Sequence, residues 1–143
     1  MSIRIRDARR DDSAAVAGLL GQLGYPADAS AVERRLERIA ASAVDRLFVA
    51  VDGGRVVGVA GIHVSPSLEY DHDAAKVSAI VVDESARRRG VGRALMEAVE
   101  AEARARGCVL LFLTTAERRR DAHEFYRRLG LEETGWRFAK PLD

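Results

Sequence analysis

The sequence predicts an α/β domain of the α+β type, with one mixed, partly antiparallel central sheet and helices on both faces. Three observations carry this reading. Short Val- and Ile-rich runs alternate with stretches of helical periodicity in the order β-α-α-β-β-β-α-β-α-β, with room for one more strand at the end. The turn signal Asp52-Gly53-Gly54 joins two early runs as a hairpin, so that part of the sheet is antiparallel. The runs Val77–Val82 and Cys108–Leu113 are separated by a helical stretch, so they run parallel if they are neighbours. A hairpin in the first half disfavours a pure dinucleotide-binding fold. At 143 residues the chain has the length of one domain, spanning 1–143.

Each element has a local reason. Ile3 and Ile5 alternate with Arg4 and Arg6, as in a half-buried strand. Asp11 or Asp12 can cap a helix carrying Val16, Leu19, Leu20 and Leu23, which Gly24 and Pro26 end. Ser30 and Glu33 have the spacing of a capping box for a second helix with Val32, Leu36, Ile39 and Ala43 on one face. Leu47–Val51 and Val56–Val64 form the hairpin strands, and Ser65–Asp73 is an acidic loop containing Pro66. Val77–Val82 has few polar residues, as in a central strand covered on both faces. A polar loop, Asp83–Gly90, precedes a helix with Leu95, Ala98, Val99 and Glu102, after which Gly107 is a natural cap. Asp121–Leu129 is expected to be a short helix stopped by Gly130, and Leu131–Phe138 a closing strand or pair of strands.

Composition excludes several classes. The chain is 48% apolar and 31% charged, as in a soluble globular protein. A single cysteine, Cys108, leaves no internal disulfide and no cysteine-rich metal site. No apolar run approaches the ~20 residues of a membrane span, and the first residues lack the apolar core of a signal peptide, so a cytoplasmic protein away from membranes is expected. A net charge of +1 gives no global field toward nucleic acid, and aromatics make up only 6% of the chain. A small RNA-binding protein using its arginine clusters is therefore the weakest of three functional readings.

The sharpest local signal is Arg87-Arg88-Arg89-Gly90-Val91-Gly92, placed between an apolar strand and a long helix. The two glycines allow close backbone approach, the free amides of the helix start favour an anion, and the arginines supply bidentate phosphate donors. These features suggest a pyrophosphate cradle. A Walker loop would need Gly-x-x-x-x-Gly-Lys, and a dinucleotide fingerprint would need a small residue where Leu95 stands. The plain alternative is a solvated arginine run before an amphipathic helix.

Ile80-Val81-Val82-Asp83, the Arg87-x-x-Gly90-x-Gly92 loop and Ala94-Leu95-Met96 together resemble the acetyl-CoA signature of the GNAT N-acetyltransferase superfamily. Ala122-His123-Glu124-Phe125-Tyr126-Arg127-Arg128-Leu129-Gly130-Leu131 resembles that family's second motif. The resemblance implies a GNAT-like acyl-CoA N-acyltransferase fold and direct transfer of an acetyl group from acetyl-CoA to a primary amine, without metal. It implies that the backbone of Ile80, Val81 and Val82 pairs with the pantetheine arm. Arg87, Arg88, Arg89, Gly90, Val91, Gly92 and Arg93 would hold the pyrophosphate, and Tyr126 would protonate the leaving thiolate. Two positions depart from the family pattern. Arg119 stands where members often carry an asparagine, and Ser78 where many carry a basic glutamate. Both departures favour the second functional reading, a non-catalytic CoA-binding or regulatory module.

An alkylammonium must lose a proton before it can attack a thioester. Candidate acceptors for it are Glu69, Asp71, His72, Asp73 and His63, with Ser78 as a water relay. Glu69, Asp71, His72 and Asp73 also make the Ser65–Asp73 loop the expected site for a cationic amine, whether small molecule or peptide. Cys108 is expected on a buried strand as an inert small hydrophobe. Trp136 and Phe138, close to the end of this sequence, are expected to cover an edge, either on the sheet or in a homodimer.

Overall fold

The computed structural model describes residues 2–114, 120–135 and 138–142, with the side chains of 120–122 outside that description. Strand β1 (Ile3–Asp7) leads through a 3-10 turn (Arg10–Asp12) into helices α1 (Ser13–Leu23) and α2 (Ala29–Ala40). Strands β2 (Asp45–Asp52), β3 (Arg55–Ser65) and β4 (Ala74–Val82) follow, then a 3-10 turn (Glu84–Ala86), helix α3 (Val91–Ala105), strand β5 (Leu110–Phe112) and helix α4 (Arg120–Arg128). The five strands lie in sequence order in one sheet. β1 to β4 pair antiparallel in succession, with the expected β2–β3 hairpin among them, and β4 and β5 prove to be neighbours and run parallel, as expected of adjacent strands joined through a helix.

Side-chain alternation divides the core between the two faces of the sheet. One layer packs Phe48, Ala60, Ile62 and Val77 against Leu95, Met96 and Val99 of α3. The other packs Val49, Val51, Val59 and Val81 against Val16 and Leu19 of α1 and Val32 and Leu36 of α2. Burying a side chain such as Leu95 or Ile62, which are essentially inaccessible, contributes roughly 1.5–3 kcal/mol. Gly58 lets α3 come close: a Cβ there would lie 2.9 Å from Leu95 Cδ1.

The hairpin turn has φ of +56° at Gly53 and +83° at Gly54, the left-handed pair that a two-residue turn matching strand twist requires. Several expectations need correction. Asp12 does precede α1, but its side chain makes no cap bond. Its carboxylate accepts from Arg6 at 2.8 and 3.0 Å and from the Arg9 amide at 2.7 Å. The expected Ser30–Glu33 capping box does not form. Asp28 caps α2 by accepting from the Ala31 amide at 2.8 Å, and Glu33 turns instead to Arg10. β4 begins at Ala74 and carries an exposed residue, Ser78, so it is not covered on both faces throughout. β5 is only Leu110–Phe112, and the half-buried Cys108 precedes it. Residues 131–135 carry no strand, and Trp136 lies outside the described residues. Phe138 and Leu142 are 93% and 88% exposed and pack on no sheet edge.

Among the described residues, the Arg6–Asp12 pair is the one charged contact with a buried member, Asp12 being 6% exposed. The Arg6 hydrogen bond, opposed by burial and aided by the Arg9 amide, holds the Asp12 carboxyl below the usual range. A depressed folded pKa stabilises above the unfolded value, about 3.9, and that stabilisation is lost as pH falls through the folded value. Thermal melts from about pH 6 to about pH 3 are therefore expected to fall more steeply for wild type than for Asp12→Asn. The variant should lose about 1–3 kcal/mol at neutral pH, because asparagine keeps one acceptor for Arg6 but not the charge-assisted pair of hydrogen bonds. Parallel pH curves would remove Asp12 from the acid response.

Candidate active site

The site begins with a gap in the sheet. On one side β4 is bonded to β3 along its length, from Ser65↔Ala74 to Gly58↔Val82. On the other side it meets β5 only through Ala74–Lys76 with Leu110–Phe112. Among the described residues, the edge from Val77 to Val82 faces no strand. At a rise of about 3.3 Å per residue that open edge is roughly 17 Å long. Ile80, Val81 and Val82 all lie on it.

The gap opens at a β-bulge. Gly61 pairs with Ala79 and Ile62 with Val77, which leaves Ser78 as the extra residue. A bulge bends a strand and increases its twist, so β4 turns away from β5 just past the last shared pair. Gly61 makes room for it, because a Cβ there would collide with the Ser78 hydroxyl. Sequence reasoning missed both residues' geometric role. A lone glycine inside an apolar strand opposite a serine was the available signal.

Past Val82 the chain enters the arginine loop. Asp83 accepts from the Ser85 amide at 3.1 Å, from Gln22 Nε2 at 2.7 Å and from Arg55 at 3.2 Å. The Ser85 and Gln22 hydrogen bonds outweigh burial and hold its carboxyl below the usual range. The Gln22 carbonyl in turn accepts from the Glu84 amide at 3.0 Å, so the end of α1 is fastened to the loop by both ends of one amide. Arg87 donates back to the Val82 carbonyl at 3.3 Å, while Arg88 and Arg89 are exposed. Arg88 has φ +65°, a conformation that costs a side-chain-bearing residue roughly 1–2 kcal/mol.

Gly90 has φ +83° and stands at the start of α3 with no side chain capping it. The first amides of α3, at Val91 and Gly92, precede the first intrahelical bond, Ala94 N to Gly90 O. A Cβ at Gly90 would meet nothing within 4 Å, so the space over the loop is open. Gly92 also has a packing role that its spacing does not announce. A Cβ there would lie 2.6 Å from Phe125 Cζ, so this glycine accommodates the Phe125 ring.

That contact seats α4 on the first turn of α3 and brings Tyr126 to the same end of the sheet. The Tyr126 ring is 5.7 Å from that of Phe125 and half-buried. Arg118 and Arg119 lie outside the described residues. Arg93 is exposed and lines a groove of about 340 Å³ between α3, β5 and the turn after α4, together with Met96, Ala103, Leu110 and Leu131. This groove runs toward the far end of α3, away from the arginine loop.

The acidic loop occupies the other end of β4. Glu69, Asp71 and His72 are exposed, and Asp73 is half-buried with its carbonyl accepting from the Val109 amide at 2.9 Å. The loop enters β4 at Ala74, where β5 is still paired, four residues or roughly 13 Å before Ser78. On the neighbouring strand His63 Nδ1 lies 2.8 Å from Asp45 Oδ1, and Ser42 donates to the second carboxylate oxygen at 2.6 Å. Burial pushes the Asp45 carboxyl up, but the Ser42 and His63 hydrogen bonds and nearby charge outweigh it and leave it below the usual range. Burial raises the Cys108 thiol, which agrees with an unreactive side chain. Among the described residues no group of His, Cys, Asp and Glu could hold a metal ion, and no helix is long and apolar enough to cross a membrane.

The arrangement places an open strand edge, a strained arginine loop and an uncapped helix start in one line, with a tyrosine-bearing helix packed at its end. Known proteins share the fold. A solved structure described as a transcriptional regulator from Bacillus halodurans superposes with a TM-score of 0.90 at 25% identity, covering 99% of this chain and 100% of that one. The aminoglycoside N-acetyltransferase AAC(6')-Iy in complex with CoA has the same fold, with a TM-score of 0.85 at 23% identity over 99% of this chain and 95% of that one. The aminoalkylphosphonate N-acetyltransferase of Salmonella typhimurium is 35% identical over 94 residues, 66% of this chain. The match spans 61% of that relative's length. Residues 16–131 match the model of the acetyltransferase (GNAT) family, a span that includes the bulged strand, the arginine loop and α4. The chain belongs to the GNAT acetyltransferase family.

Proposed function

We propose that this chain is an N-acetyltransferase that moves an acetyl group from acetyl-CoA directly to a primary amine. The observation that carries the reading is the open β4 edge, Val77–Val82, leading straight to an uncapped α3 start. Unpaired strand groups suit the amides of a pantetheine arm, which can add to the edge as a strand would. The free amides of α3, with Arg88 and Arg89 beside them, suit a pyrophosphate. Ile80, Val81, Val82, Arg87 and Val91 line this path in the proposal. Gly90 keeps the loop clear, and Gly92 offers its free amide while also seating Phe125. Arg93 reaches the phosphates only if it turns from its groove.

The thioester then falls at the Ser78 bulge. The amine nitrogen attacks the carbonyl carbon, the C–S bond breaks, and the thiolate takes a proton from Tyr126. A β4 amide freed by the bulge can donate to the oxyanion. A small-molecule amine fits best, in line with the aminoalkylphosphonate and aminoglycoside named for the two acetyltransferases above. The acidic loop gives a cationic amine its approach.

The direct test is release of CoA thiol from acetyl-CoA with a panel of 2-aminoethylphosphonate, spermidine and kanamycin. At least one amine should give turnover, and CoA at about 100 times its dissociation constant should add roughly 2.7 kcal/mol to stability. Gly90→Asn should abolish that shift while the apo chain stays folded. Asparagine tolerates a left-handed φ, but its side chain would fill the space over the loop. No turnover together with an unmoved melt would remove the proposal.

Tyr126→Phe is expected to lower kcat about 100-fold while changing CoA affinity little, because the hydroxyl acts only as the thioester breaks. Turnover within about twofold of wild type would reduce the residue to packing.

For the acidic loop, Glu69→Gln, Asp71→Asn and Asp73→Asn should each raise the KM for the cationic amine and leave that for acetyl-CoA unchanged. Salt should mimic them by screening. A triple variant with wild-type KM at low salt would show that this loop does not select the acceptor.

A further inference from the structure

If an alkyl amine is the acceptor, only about one molecule in a few thousand is neutral at pH 7, so its proton has to be taken. Ser78 stands at the bulge and cannot serve as a carboxylate base. The sheet places another group on the same face. Gly61 and Ser78 point to one side of the sheet, since a Cβ on the first would strike the hydroxyl of the second. β3 and β2 pair regularly from Asp45↔His63 to Leu47↔Gly61. His63, two residues from Gly61, therefore projects to the side on which Ser78 lies. It sits roughly 7 Å along β3 from Gly61, the residue facing the bulge, a span that a short chain of waters bridges.

The histidine is held like a functional base. Asp45, kept ionised, can only accept a hydrogen bond, so the proton between them is assigned to His63 Nδ1. This leaves the lone pair on Nε2. Ser42 engages the other Asp45 oxygen, so the carboxylate is fixed at both ends and orients the ring. The His63 side chain is 43% exposed, which admits water and an incoming amine. The charged groups around it are Asp45 on β2, Lys76 opposite it on β4 and Arg106, which acts on Asp45 from the end of α3.

We propose that His63, oriented by Asp45, takes the proton of the acceptor ammonium through water. This rests on the acetyl-transfer reading above and adds a residue to it. R–NH3⁺ gives one proton to Nε2, and the freed lone pair forms the C–N bond as the C–S bond breaks. The thiolate takes a proton from Tyr126, the second amine proton returns to the tyrosinate through water as the amide forms, and His63 gives its proton to solvent, leaving R–NH–CO–CH3 and CoA–SH. Asp45 is a positioning residue.

The test compares wild type, His63→Gln and Asp45→Asn, using whichever panel amine the wild-type chain turns over fastest. Glutamine can still donate to Asp45, and CoA affinity and the circular dichroism spectrum report whether the fold is intact. At pH 7, His63→Gln should lose about 100-fold in kcat/KM, and Asp45→Asn a smaller amount. At about pH 9, where roughly a hundred times more of the amine is already neutral, the His63→Gln deficit should shrink to about threefold. An equal deficit at both pH values would make the pair a structural tie between β2 and β3 and overturn the proposal. So would the absence of any deficit. A wild-type chain that acetylates no panel amine overturns the acetyl-transfer reading itself, a different result from an active wild type and an equally active His63→Gln.

Discussion

A strand inside a sheet ordinarily spends its backbone donors and acceptors on both neighbours. β4 does so for three residues and then keeps only one partner. Unmet backbone groups are costly when buried, so an edge of this kind needs water or a ligand along it. Everything else in the site follows from where that edge starts and where it leads. The Ser78 bulge starts it, Gly61 makes the bulge possible, and the arginine loop stands at its end. The two helical layers fix β4 from above and below through Val77 and Val81, so the opening does not close by collapse.

The glycines divide the labour around that edge in a way their spacing does not reveal. Gly90 supplies a backbone conformation, with a positive φ and open space above it. Gly92, two residues on, supplies room for an aromatic ring. Gly58 supplies room for Leu95 and sets how closely α3 lies on the sheet. One motif therefore combines a turn requirement with a packing requirement.

The order of elements along the chain, the hairpin, the helix faces and the arginine loop were legible in the sequence because each rests on local chemistry: alternation, a Gly-Gly turn, a 3.6-residue period, glycine beside a helix start. Contacts between distant residues were not. Asp12 looks like a cap but spends its carboxylate on Arg6, and Glu33 leaves the expected capping box for Arg10. Both choices depend on an arginine brought near by the tertiary fold. The bulge at Ser78 was hidden for the same reason, since one extra residue in a strand is visible only against its partner. The pairing of His63 with Asp45 likewise needs the β2–β3 register, 18 residues apart in sequence. The resemblance to a family suggested a cofactor path, but the acceptor side had no motif to announce it.

Helix α1 is anchored at both ends. At its start Asp12 is fastened to Arg6 and the Arg9 amide. At its finish Gln22 grips Asp83 and the Glu84 amide. A rod of 11 residues, about 16 Å long, thus acts as a strut between the outermost strand and the arginine loop. The distance between the outer strand and the arginine loop is thereby fixed by the length of one helix as well as by the sheet between them, and the same helix buries Val16 and Leu19 against that sheet.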